Sequence, residues 1–176
     1  MSQLSVKKAV SETAQLVAKD PKNGMLVYKA NTTWQGDVKS SAQIRNFEPL
    51  IIDEPAAFGG GDTAVSPADL ILAALGSCQE IMYSALASTM DIPLDEVSVK
   101  LSGKLDLRGL LGMGDDDQIP PGFQSISYET TIKSPANDED LKRLIAAVEK
   151  QCPILDTLQR PISVTGKAVT ENTLVT

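Results

Sequence analysis

An α+β fold, with antiparallel sheet packed on a buried helix, is predicted by three observations on the 176-residue sequence. Segments with strand patterning come in a run of three and then a run of two, without the strict strand–helix alternation of a doubly wound parallel sheet. A stretch of roughly 25 residues from Ser66 to about Met90 is apolar nearly all round, as a helix covered on most sides would be. No long linker divides the chain, whose length suits one domain with an added arm and allows a real core.

The elements follow in order. Residues 2–19 set Val6, Val10, Ala14 and Val17 at helical spacing among Lys and Glu. That predicts an amphipathic helix ending near "KDPKNG", and residues 1–22 read as an N-terminal helical arm ahead of a main domain, 23–176. "MLVYKANTTWQG" (25–36), "DVKSSAQIRNF" (37–47) and "PLIIDE" (49–54) read as three strands joined by short polar turns, a β-meander. The glycine-rich "PAAFGGGDTAV" precedes a strong helix start: Ser66 suits the N-cap, Pro67 the first helical position and Asp69 the capping-box acid. At about 1.5 Å per residue the helix is close to 37 Å long.

"EVSVKLSGKLDLRG" then alternates Val97, Val99, Leu101, Leu105 and Leu107 as a long strand, bent at Gly103. "LLGMGDDDQIPPG" is a loop, and "FQSISYETTIKS" alternates again as an antiparallel partner. Asn137 and Asp140 cap a second helix whose inner face is Leu141, Leu144, Ile145 and Val148. "ILDTL" suggests a further short helical turn, and "PISVTGKAVT" a closing strand.

Composition excludes several functions. With 16 Lys and Arg against 23 Asp and Glu, the chain carries a net charge of −7 and no basic stripe, so nucleic acid is not an expected partner. The most apolar stretch meets Gln79 and Glu80 before it reaches a membrane-spanning length, and no secretory h-region follows the early lysines, so neither a membrane nor export is expected. A cytoplasmic location is the expectation. The absence of histidine removes Ser–His and Cys–His catalysis and His–metal sites.

Two cysteines remain. They are too far apart in sequence for a CxxC motif, and in a cytosolic chain a structural staple is unusual. Cys78 shares its helix face with Ile71, Ala74, Leu75, Ile81, Met82 and Ala85, and Gly76 and Ser77 are small enough to admit a close neighbour. Glu80 points nearly opposite. Taken alone, Cys78 reads as buried filler. Cys152 continues the inward face of the second helix and stands before Pro153, near an N-cap where free N–H groups favour a thiolate. Two inward thiols on two core helices make a pair a better reading than two unrelated fillers.

Other candidates are weaker. "FGGGD" could cradle a phosphate at a helix N-terminus, but it lacks the GK[ST] of a P-loop, and a turn is the simpler reading. "DDD" at 115–117 reads as solvated loop rather than metal site. Trp34 and Phe58 suit dimer or pocket packing as well as substrate contact.

With "WQGD", "GGGD" followed by "SPADLILAALGSC", "LDLRGLLG" with "PPGFQSI", and "CPILDTL" in this order over about residues 25–170, the sequence resembles the OsmC/Ohr family, the osmotically inducible and organic hydroperoxide resistance proteins. The resemblance implies an intertwined homodimer of strongly bent antiparallel sheets around central helices, with active sites at the subunit interface. It implies thiol-dependent reduction of organic hydroperoxides without metal or organic cofactor. Carried over, Cys78 is the peroxidatic thiolate and passes through a sulfenic acid. Cys152 is then the resolving thiol that forms a disulfide, which an external dithiol reduces. Members of the family polarise the thiol with an arginine after the "W-x-G" strand and a glutamate before the glycine pair. Here Lys39 and Ser40 stand near the first place and Ala57 at the second, so either Arg45 and Glu54 take that role through a shifted loop or this member activates Cys78 differently. The alternative is a non-catalytic binder of small apolar ligands on the same fold.

Overall fold

The computed structural model describes residues 2–113, 119–170 and 174–175. Helix α1 (Gln3–Lys19) starts at the Ser2 cap and has no fully buried residue. It lies against the far end of the central helix, where Gln3 donates to the Ile92 carbonyl at 3.1 Å and Lys7 pairs with Asp91.

The three-stranded meander is present as β1 (Asn31–Gly36), β2 (Lys39–Gln43) and β3 (Leu50–Ile52), paired antiparallel in that order. Each strand is shorter than its sequence pattern. The largest difference is at residues 25–30, expected as the first half of β1. The β1–β2 register begins only at Asn31, and Met25, Leu26, Val27 and Tyr28 are 71–89% exposed. A strand needs a neighbouring strand for its backbone groups, and within one chain this segment pairs with none among the described residues, Met25 N–H turning back to the Lys22 carbonyl instead.

Helix α2 (Pro67–Thr89) has the expected start: the Ser66 side chain accepts from Asp69 N–H, and the Asp69 carboxylate accepts from Ser66 N–H at 2.9 Å. By length and composition α2 could cross a membrane. Its packing is that of a central helix, with β4, α4, α5 and α1 resting on it. The expectation that it is covered on most sides is not met in the single chain, because Ile71 and Ile81 are 41% and 66% exposed.

Strands β4 (Glu96–Leu105) and β5 (Phe123–Lys133) form a long antiparallel ribbon, with a register shift between Lys104 and Leu105. Leu107, expected on β4, instead opens the short helix α3 (Leu107–Leu110), because Asp106 caps it and takes the Arg108 guanidinium. The 115–117 aspartates lie outside the described residues.

Helix α4 (Asp138–Gln151), capped by Asn137, runs through Cys152 into α5 (Pro153–Gln159). The closing strand shrinks to β6 (Ala168–Val169), paired with β7 (Leu174–Val175). Ile162 and Val164 before it are exposed, and Gly166 gives that stretch no side chain to pack.

Two apolar clusters lie along α2. One joins Tyr83, Ala87 and Ile92 to Leu144 and Val148. The other joins Leu75 to Cys152 and Leu155, with Cys78, Leu101 and Tyr128 packed on it.

Candidate active site

The two cysteines meet. Cys152 sits at the joint of α4 and α5, where its N–H completes α4 on the Val148 carbonyl at 2.9 Å and its own carbonyl accepts from Asp156 N–H at 3.0 Å. Both main-chain bonds fix the residue, and its side chain is fully buried. Its Sγ donates to Cys78 Sγ across 3.5 Å, and both thiols are free. Cys78 is partly exposed, at the edge of the buried face of α2. Close packing brings α2 onto β4: a Cβ on Gly76 would lie 2.7 Å from Leu101 Cδ1. The small residue two places before Cys78 therefore admits a side chain of the neighbouring strand.

Burial pushes the Cys78 thiol up from its ordinary value; the Ile154 backbone N–H at the start of α5 works against this, and the neighbouring Cys152 adds to it. The attacking form of a thiol is the thiolate, and burial holds Cys78 away from that form.

The other two sequence candidates are not joined to the thiols. Arg45, at φ 50°, is exposed and lays its guanidinium over the Phe47 ring at 4.5 Å. Glu54 is partly buried, and its carbonyl accepts from Asp62 N–H at 3.1 Å. Among the described residues, no hydrogen bond or ion pair links either side chain to Cys78 or Cys152.

The ion pair in this region is a different one. Asp53 is buried and accepts from Glu54 N–H, Gly61 N–H, Thr63 N–H and the Thr63 hydroxyl, at 2.9, 3.3, 3.0 and 2.6 Å. Lys39 donates to the Thr63 hydroxyl at 3.0 Å and stands 3.5 Å from the Asp53 carboxylate. The Thr63 hydroxyl and N–H lead in holding the Asp53 carboxyl far below the usual carboxylate range. This accounts for the glycine loop. Gly59, Gly60 and Asp62 N–H are bound to Ala56, Pro55 and Glu54 carbonyls, and Asp53 takes Gly61 and Thr63. No backbone donor of residues 59–63 is left free for a phosphate.

Sequence reasoning missed Asp53, whose place in "LIIDE" looks like a strand end. It also missed Gln79, whose Nε2 and Oε1 are buried without a partner. An amide left so costs about 1–3 kcal/mol. The visible signal was a glutamine directly after the cysteine in an otherwise apolar run. Among the described residues no cluster of three Cys, Asp or Glu side chains is placed to hold a metal.

A cleft of about 470 Å³ is lined by apolar Ile71, Leu75, Phe123, Ile126, Tyr128 and Leu155 and by polar Gln124, Ser125 and Gln159, with neither cysteine in its wall. It shares Leu75, Ile126, Tyr128 and Leu155 with the cluster around Cys152. Its size and lining fit a small, mostly apolar molecule.

Comparison with known proteins agrees with this architecture. The family model for OsmC-like protein matches residues 59–167. An OsmC-like protein from Mycoplasma pneumoniae superposes with a TM-score of 0.64 at 21% identity, over 76% of this chain and 88% of that one. An organic hydroperoxide resistance protein OsmC from Legionella pneumophila gives 0.58 at 19% identity, over 77% and 92%. An OsmC-like protein of unknown function from Vibrio cholerae gives 0.60 at 12% identity, over 77% and 95%. No curated protein sequence matches the chain.

Proposed function

The chain belongs to the OsmC-like protein family, and from that premise we propose that it is a thiol-dependent peroxidase that reduces organic hydroperoxides with Cys78 and Cys152. The observation that carries this reading is the 3.5 Å separation of two free thiols, one partly exposed and one fully buried. The exposed member can meet a substrate, and the buried one can meet only its partner. Cys78 thiolate attacks the outer oxygen of RO–OH. The O–O bond breaks, the alkoxide leaves and takes a proton as ROH, and the sulfur is left as a sulfenic acid. Cys152 then attacks that sulfur, an S–S bond forms as S–O breaks, and water leaves. An external dithiol returns both thiols by exchange. The apolar cleft beside Leu75 and Leu155 suits the organic part of the hydroperoxide.

We read the working form as a cytoplasmic homodimer. The open face of α2 and the unpaired extended segment at residues 25–30 are the surfaces a second copy would cover. Under this reading Arg45 or Glu54 would reach a thiol only across the subunit boundary.

A second reading is favoured by one specific observation. The Cys78 thiol is pushed up by burial and no cation is bonded to it, which suits a non-catalytic binder of small apolar ligands in the same cleft. Dithiothreitol-dependent consumption of cumene hydroperoxide separates the two. The peroxidase turns over and Cys78→Ser falls to background; a binder shows no turnover in either protein.

A further inference from the structure

Gln79 is 1% exposed and follows Cys78 directly. With Cys78 at zero and about 100° per residue, the buried arc of α2 passes Leu75 near 60°, Gln79 near 100° and Tyr83 near 140°. Cys78 is at the edge of that arc and Gln79 at its centre. Leu75 packs in the cluster of Cys152 and Leu155, and Tyr83 in the cluster of Leu144 and Val148. The glutamine therefore interrupts an otherwise apolar seam at the level of the last turn of α4, which ends in the second thiol. The other buried polar side chains among the described residues, Asp53, Ser66 and Ser88, all have hydrogen-bond partners. Both polar atoms of the Gln79 amide have none.

We propose that Gln79 is a further catalytic residue, whose amide donates to the oxygen that oxidation places on Cys78 and holds it as the leaving group while Cys152 attacks. This rests on the peroxidase reading above. The reduced site offers the amide no acceptor, and the first half-reaction creates one. As the Cys152 sulfur attacks, the S–S bond forms, the S–O bond breaks, and the hydroxyl leaves as water with the proton of the Cys152 thiol. Negative charge gathers on the departing oxygen in a site without histidine and without a cation bonded to either sulfur. Turned onto that oxygen from the next position on α2, the buried and unpartnered amide stabilises that charge as the oxygen departs. Its unpaired resting state is the cost of that arrangement.

Gln79→Leu and Gln79→Met test it. With one equivalent of cumene hydroperoxide and no reductant, each variant forms the Cys78 sulfenic acid at the wild-type rate, read by trapping with a cyclic diketone and mass spectrometry. Disulfide formation then slows about tenfold or more, while thermal stability is equal or higher. Wild-type disulfide rates in both variants overturn the proposal and leave the peroxidase reading intact. A loss confined to sulfenic acid formation also overturns it, since the amide would then act in the other half-reaction. Failure of both variants to fold overturns it as well, because deleting an unpaired amide should not cost stability. A wild type that forms neither species sinks the peroxidase reading, and this proposal with it.

Discussion

Cys152 Sγ stands 3.5 Å from Cys78 Sγ, held there by a residue that ends one helix and begins the next. A disulfide needs about 2.05 Å, so roughly 1.5 Å of approach closes the bond. Side-chain rotation and a small shift of the α4–α5 joint supply that. Cys152→Ser removes the second step only. The variant is expected to consume one equivalent of hydroperoxide without reductant and to stop at an added oxygen on Cys78. Excess peroxide then drives it to the sulfinic acid. Intact-mass spectrometry separates this from the wild type, which loses hydrogens to a disulfide instead.

The pH dependence follows from the thiol raised by burial. Below its pKa the thiolate fraction grows about tenfold per pH unit, and here the plateau lies above the ~8.5 of a free thiol. Stopped-flow rates of sulfenic acid formation should therefore still be climbing at pH 8.5. Stability runs the other way. The folded state holds the proton more tightly, so unfolding free energy is full below the unfolded thiol value and falls as pH rises through the folded one. Between pH 8 and 10 the Tm of wild type should fall more than that of Cys78→Ser.

Much of this was legible in the sequence, for local reasons. Ser66, Pro67 and Asp69 mark the start of α2 because capping is a matter of adjacent residues, and the thiol pair was legible because both cysteines fall on inward helical positions. Strand lengths were not, since the apolar run at residues 25–28 reads as a strand whether or not a neighbouring strand is there to pair with it. Asp53 was invisible for a similar reason: its partners Gly61 and Thr63 reach it only after the glycine loop folds back. The Arg45 and Glu54 assignments rest on distance along the chain, which does not translate into proximity to a sulfur across a loop.

Asp53 anchors that loop, and Asp53→Asn should free it. The amide keeps the shape but, in either orientation, sets an N–H₂ group against an N–H donor, from Gly61 at one oxygen position or from Thr63 at the other. The lowered carboxyl contributes stability above the unfolded carboxylate range and loses it as pH falls through the folded value. At pH 7 the variant should melt below wild type, with the gap closing in strong acid. Limited proteolysis should cut it first between residues 59 and 63.

Gly103 is covered by an aromatic ring: a Cβ there would lie 2.4 Å from Phe123 Cε1 and 2.6 Å from Cδ1. The ring fills the space a side chain would take on β4, an arrangement that stabilises a glycine within a strand. Gly103→Ala must displace the ring, and overpacking of this kind costs about 1–3 kcal/mol. Thermal denaturation should show a fall of several degrees. Because Phe123 also lines the cleft, KM for cumene hydroperoxide should change more than kcat.

The open face of α2 carries the last prediction. Ile81 is 66% exposed on the helix that holds Cys78, at about 60° from it on the side away from the core. Trp34 is 73% exposed on β1, the strand that follows the unpaired segment at residues 25–28. Water favours covering such a face, and a stable pair of copies needs about 800 Å² from each. A charge at Ile81 would be buried in that contact without a partner, at a cost larger than any single apolar loss. Ile81→Glu should therefore shift the protein from dimer to monomer in light scattering at micromolar concentration while leaving the far-UV spectrum unchanged. If the second copy completes the pocket around Cys78, hydroperoxide turnover falls at least tenfold with it. A wild type that is monomeric under those conditions would remove the homodimer from the account and leave the thiol pair of one chain to act alone.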